Sequence, residues 1–470
     1  MRAAAVAAFA FGTLSNLQAS PDLAAASARL TRALHPSIGA RDVLDGLRNV
    51  ALTAGVGVVW LATARATGAG GRLRREVTVA GIVGLVLGLL AETAQLFSPV
   101  RMSSILDVLT NGLGAFVGAA AIANIIAYGA RDAWRRARRR SRPRWLARLG
   151  GVPLLYVAVP YTVACWLEAF SPLGRPDRVP GAWGGPERRW SAALAYAAAH
   201  AGDFPAPVDL VLFAPAGALV TLWLMERGMR RWHAAALVAT ILVASWAVAE
   251  LLRGFSGGDM LVWAVALHGI ASTGGAAAAA VWSRHVDRTH GPVARPAPYL
   301  LPAFAALVLA WSWRPFVLVT SWRAVAGALR PEAFIPLAEL AEIMSVHSVA
   351  DVGVGALLYA PLGAWLAARA AAAGGTDSTG GLRALWPGVV VGLAAECGQI
   401  VIAGRTFDVT DLLVQWAGVL VGAVVWRAAQ ARARTHGPAA RVEGVYAQPT
   451  SRASTPVVVR PRNPAARSGR

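Results

Sequence analysis

Two stretches of this chain carry the same acid, amide and guanidinium side chains, and both lie inside apolar sequence. Residues 92–118 read ETAQLFSPVRMSSILDVLTNGLGAFVG, and residues 396–422 read ECGQIVIAGRTFDVTDLLVQWAGVLVG. Glu92 corresponds to Glu396, Gln95 to Gln399, Arg101 to Arg405, Asp107 to Asp411, and Gly114 and Gly118 to Gly418 and Gly422, all at an offset of 304. Carboxylates beside a guanidinium can work as general acid and base, neutralise one another as an ion pair, or leave the guanidinium to grip a phosphate or carboxylate. Ionisable groups are costly at membrane depth, so their recurrence at fixed spacing marks a site.

Helical geometry gathers these residues. Glu92 and Gln95 are three apart and share one helix face. Asp107, Asn111, Gly114 and Gly118 are spaced four, three and four, which makes one stripe. Arg101 falls on the turn between the two helices. The second stretch builds the same set from Glu396, Gln399, Arg405, Asp408, Asp411 and Gln415. The candidate acids and bases are Glu396, Asp411, Glu92 and Asp107. The candidate ligand-binding residues are Arg405, Gln399, Asp408, Gln415, Arg101, Gln95 and Asn111. Mutual pairing of acid and Arg is the cheapest way to keep them at this depth. The glycine spacings read as helix–helix contacts.

The elements that position this set must cross a membrane. The chain has 470 residues, of which 56% are hydrophobic and 15% charged, too apolar for soluble domains of this length. About twelve spans are expected, near 3–18, 47–65, 77–98, 106–128, 150–170, 207–226, 233–253, 259–282, 298–319, 349–368, 384–403 and 408–428, each close to the ~20 residues a bilayer core needs. Residues 3–18 are the weakest, with a cleaved signal peptide as the competing reading. The spans form three groups of four, giving units at 1–128, 149–283 and 298–428, followed by a basic tail, 429–470, whose Arg, Pro, Ala and Ser content predicts disorder. The fold class expected is an all-α polytopic membrane protein.

All 45 basic residues are Arg, for a net charge of +20. They concentrate in 66–76, 129–149, 227–232, 283–297, 369–383 and the tail, all on one side under the twelve-span reading. That side is expected to be cytoplasmic, with both termini on it. Arg blocks beside spans fit this role better than nucleic-acid binding. The links carrying Arg101 and Arg405 then face outward, as do loops 19–46, 171–206 and 320–348. Within these, 23–34 and 331–347 can form short interfacial helices. Cys165 and Cys397 are isolated, and His200 and His347 lack ligand spacing, so no disulfide framework, metal site or cofactor is expected.

The middle unit is degenerate. Glu250 keeps its place, but Arg253 stands for the Gln, Asp259 for the Arg and Val265 for the second Asp. No complete site is expected there. A second pattern precedes each hairpin: DLVLFAPAG in the middle unit, with Asp209, Phe213, Pro215 and Gly217, and GALLYAPLG in the third, with Gly355, Tyr359, Pro361 and Gly363. In the first unit Asn49 and Gly57 remain, with Thr53 and Gly55 in place of the aromatic and the Pro. A Pro here kinks the span, either for packing or to widen a cavity.

These motifs resemble the VanZ-like family, with its Asn-x-x-x-Phe-x-Pro-x-Gly span, Glu-x-x-Gln, Gly-Arg-x-x-Asp-x-x-Asp and Asn-x-x-Gly. Residues 384–428 match closely, 45–128 well and 205–282 weakly. No unit is complete: the first lacks Phe and Pro, and the third has Gln415 for Asn and Gly355 for the earlier Asn. The resemblance implies a bacterial cytoplasmic-membrane protein linked to teicoplanin-type glycopeptide tolerance. Three activities remain open. Arg101 and Arg405 can bind an anionic envelope lipid or lipid-linked cell-wall precursor near the exoplasmic face. Glu396 or Asp411 can act as the acid or base of an intramembrane enzyme on a lipid-linked phosphate or ester. Repeats and Pro-broken spans also suit a transporter. A purely structural ion pair is the bland alternative.

Overall fold

Long runs of Ala, Leu and Val fold as helices in lipid because the backbone there must satisfy its own hydrogen bonds. The computed structural model describes residues 22–34, 40–63, 70–98, 103–138, 154–170, 208–255, 262–288, 300–314, 316–336, 346–372 and 383–435, with isolated positions between 191 and 199. Thirteen α-helices occur among them. They are α1 (Leu23–Leu34), α2 (Ala40–Thr63), α3 (Gly70–Gln95), α4 (Ile105–Arg138), α5 (Leu155–Phe170), α6 (Val208–Glu226), α7 (Arg231–Phe255), α8 (Val262–Arg288), α9 (Leu300–Ser312), α10 (Trp322–Ala328), α11 (Val346–Ala372), α12 (Trp386–Gln399) and α13 (Val409–Thr435).

Seven of these, α3, α4, α6, α7, α8, α11 and α13, are long and apolar enough to cross a membrane, and α2, α5 and α9 contain shorter apolar stretches. The chain is a polytopic all-α membrane protein. Leu and Ile side chains such as Ile82, Leu89 and Ile241 are exposed on α3 and α7, as lipid-facing surfaces require. The expected first span, 3–18, and the tail beyond 435 lie outside the described residues.

Two spans are shorter than the sequence suggests. The ninth ends at Ser312 because Pro315 cannot continue a helix, and residues 317–319 run extended instead. The eleventh ends at Gln399, and Gly404, at φ 76°, completes a turn that a side chain with a Cβ would strain. The interfacial helix at 23–34 is present as α1. The one expected at 331–347 is a short 3₁₀ turn over Pro331–Phe334, with residues 337–345 outside the described set.

One packing rule recurs in the segments 1–128, 149–283 and 298–428, for which the labels first, middle and third unit are kept. The second and fourth helices press backbone to backbone, through glycines on both. A Cβ on Gly57 would strike the Ala115 carbonyl, and one on Gly118 the Ala54 carbonyl. In the middle unit Gly217 abuts the Ser272 carbonyl and Gly275 the Ala214 carbonyl. In the third, Gly363 abuts Val419, Gly418 abuts Ala356 and Gly422 abuts Ala360. The small-xxx-small spacing is therefore a close helix contact. The third helix of each unit then lies on the fourth. Between units, α4 packs on α13 and α2 on α11, sharing a core that includes Ile126, Tyr156 and Ala429. The middle unit docks through α5 against α11. Near the Arg-rich end, Arg227 lies over the Tyr128 ring at 4.2 Å and ties the first unit to the middle one.

Candidate functional site

The α12–α13 hairpin places Glu396 with no solvent exposure. Its Oε1 accepts hydrogen bonds from Gln415 Nε2 at 2.5 Å and Gln399 Nε2 at 3.4 Å, and its Oε2 accepts from the Asp408 backbone N–H at 3.4 Å. Asp408 itself caps α13, its Oδ1 accepting from the Thr410 N–H at 2.6 Å. Gly392 makes room for this arrangement, because a Cβ there would crowd Gln415 and Trp416. Asp411 is half-buried in the first turn of α13. Gln415 Oε1 is buried with no hydrogen-bond partner among the described residues.

Arg405 departs from expectation. Instead of pairing with Glu396 or Asp411, it is exposed and its Nε donates to the Arg314 carbonyl at 2.9 Å. No ion pair joins Arg405 to either acid among the described residues. The physical reason is visible in the contacts of Glu396: amide and backbone donors fill both oxygens, so the carboxylate does not need the guanidinium. Gln399 and Gln415 likewise face inward as donors to Glu396.

The α3–α4 hairpin repeats the skeleton. Glu92 is buried, and its Oε2 accepts from the Ser104 N–H at 2.8 Å, the position equivalent to Asp408. Ser104 Oγ in turn accepts from the Leu106 N–H at 3.2 Å, as Asp408 does from Thr410. Asp107 accepts from Asn49 Nδ2 at 2.8 Å, a bond that Gly355 cannot offer Asp411. Asn111 and Gln95 are buried, and Asn111 packs against Gly88 as Gln415 does against Gly392. Arg101 lies outside the described residues.

The middle unit holds a different polar group, one that sequence reasoning missed. Its glycine–carbonyl contacts fix the register of α8 against α13: Ser272 matches Val419 and Gly275 matches Gly422. Ala264, not Val265, then replaces the second Asp, and His268 occupies the position of Asn111 and Gln415. His268 is buried, stacks face to face on Phe213 with ring centroids 3.7 Å apart, and brings Nε2 to 3.7 Å from Asp209 Oδ2. Asp209 stands at the Asn49 position. Glu250 is held by Arg253 Nη1 at 3.3 Å. The signal for His268 was its place seven residues before Gly275, which a one-residue difference in loop length concealed.

A helical hairpin whose buried glutamate accepts the backbone N–H just ahead of the next helix, found at both Glu92 and Glu396 on glycine-packed spans, defines a class of multi-pass membrane protein with internal repeats. The sequence profile of the VanZ/LLP1 family matches residues 6–127 and again residues 299–430. The chain belongs to that family. No curated protein and no solved structure matches it. Among the described residues, no group of His, Cys, Asp and Glu is placed to hold a metal ion.

Proposed function

We propose that the third unit binds the anionic headgroup of an envelope lipid or lipid-linked cell-wall precursor near the exoplasmic face of a bacterial cytoplasmic membrane, and that this binding underlies tolerance to teicoplanin-type glycopeptides. The observation that carries the reading is the separation of Arg405 from the acids of the hairpin. Glu396 is satisfied by Gln415, Gln399 and the Asp408 N–H, which leaves the exposed Arg405 without a carboxylate partner among the described residues. A guanidinium with both terminal nitrogens available can take a phosphate or carboxylate with two parallel hydrogen bonds. The polar groups cluster at one end of the spans, which suits headgroup binding better than a path across the membrane.

Native mass spectrometry of detergent-purified protein tests this reading. The wild type is expected to carry a co-purifying anionic lipid and Arg405→Ala to lose it; equal lipid on both proteins would reject the proposal. A second reading, acid–base chemistry on a lipid-linked phosphate or ester, draws support from the placement of Glu396 and Asp411 on the two arms of one hairpin. Asp411→Asn separates the two: a binder is only weakened, whereas an enzyme using Asp411 loses its activity and its resistance phenotype together.

A further inference from the structure

Arg314 sits where the third unit meets the middle one, and it belongs to both. Its guanidinium is held by two acids of the middle unit: Nη2 lies 2.8 Å from Glu168 Oε1 on α5, and Nη1 lies 3.9 Å from Asp209 Oδ1 on α6. It also stacks over Trp311, with 4.8 Å to the ring centroid. Its backbone carbonyl accepts the Arg405 hydrogen bond. One residue therefore has its side chain anchored in the middle unit and its main chain on the candidate anion-binding Arg.

The residues on both sides of Arg314 are tied to the site hairpin. Trp313 Nε1 donates to the Ala395 carbonyl at 3.1 Å, one residue from Glu396. The Ala403 N–H donates to the Val317 carbonyl at 2.6 Å, and the Val319 N–H to the Val401 carbonyl at 3.0 Å. Phe316 adopts φ 64°, a left-handed conformation that a bulky side chain takes only where its surroundings enforce it. Enforcement comes from both sides: the Arg314 ion pairs before it and the backbone bonds to 401–403 after it.

We propose that Glu168 and Asp209, by clamping Arg314, are positioning residues for Arg405, so that the middle unit serves as the arm that aims the anion-binding loop of the third. The middle unit thus keeps acids without keeping the hairpin site, because its acids act on its neighbour. The binding consequence rests on the anionic-headgroup reading above; the positioning itself does not.

The test uses the full chain in phosphatidylcholine nanodiscs. Hydrogen exchange over residues 398–408 is followed for wild type, Glu168→Gln, the Glu168→Gln/Asp209→Asn pair, Arg314→Lys and Arg314→Gln, alongside the affinity for added phosphatidylglycerol. Glu168 is partly exposed, so its single variant is expected to fold with an unchanged melting midpoint. The expected result is faster exchange at 398–408, on the order of fivefold for the double variant, with a parallel loss of phosphatidylglycerol affinity. Arg314→Lys, which keeps the charge, should stay closer to wild type than Arg314→Gln. Unchanged exchange at 398–408 in the double variant would overturn the proposal. Faster exchange in a protein whose wild type binds no phosphatidylglycerol would uphold the positioning role and reject the headgroup reading instead.

Discussion

The third unit and the middle unit share a skeleton and differ in what they mount on it. Both press their second and fourth helices together through glycine on carbonyl, Gly363 on Val419 in one and Gly217 on Ser272 in the other. Both place a large aromatic at the same turn of the second helix, Tyr359 and Phe213, each fully buried. Yet the third unit surrounds its glutamate with Gln415 and Gln399, while the middle unit sets Arg253 beside Glu250 and puts His268 against Phe213 and Asp209. Backbone packing and polar chemistry are thus separable in this fold. Steric contact at the glycines sets the first, and a handful of side chains set the second.

If the skeleton is common, breaking it should cost alike in either unit. Gly422→Val and Gly275→Val each force a side chain into a facing carbonyl and are expected to lower stability by about 3 kcal/mol, the upper end of overpacking costs. Thermal melting in detergent checks this; a loss confined to Gly422→Val would mean the middle unit packs differently. The polar sets should respond unequally. Glu250→Leu takes a carboxylate from the largely buried Arg253 guanidinium and is expected to cost about 3 kcal/mol by the same assay. Glu396→Leu strands the amides of Gln415 and Gln399 and is expected to cost less, about 2 kcal/mol. Gln415→Asn shortens the reach to Glu396 Oε1 and should cost about 1 kcal/mol, as loss of a buried hydrogen bond does. Ser272→Ala removes the partner of the buried Trp246 indole N–H, 3.0 Å away, and is expected to cost about 1 kcal/mol.

Much of the skeleton was legible in the sequence. The constant offset of 304 between the two hairpins, the apolar runs and the small-xxx-small spacings carry over into α3–α4 and α12–α13 as read. These are local features, set by helical period and by the size of glycine. The charge partners were not legible. Arg405 and Glu396 sit nine residues apart and invite pairing, but the decision lies with Gln415, which reaches Glu396 from the facing helix. Arg314 meets Glu168 from 146 residues away, in another unit, and no local pattern announces such a contact. His268 was hidden because the loop between α7 and α8 shifts the register by one residue relative to the third unit, and only the glycine contacts reveal it. The short α9 followed from Pro315, a signal outweighed in the sequence by the apolar run around it.

The central claim is that a carboxylate satisfied from within the protein leaves Arg405 to hold an anion from outside. The most direct measurement is equilibrium binding of a phosphate-headed lipid to the purified protein in neutral nanodiscs, comparing wild type with Arg405→Ala. The exposed substitution is expected to change stability by no more than about 0.5 kcal/mol, while weakening binding roughly tenfold, the equivalent of about 1.4 kcal/mol. Equal affinity in the two proteins, at equal stability, would contradict the account.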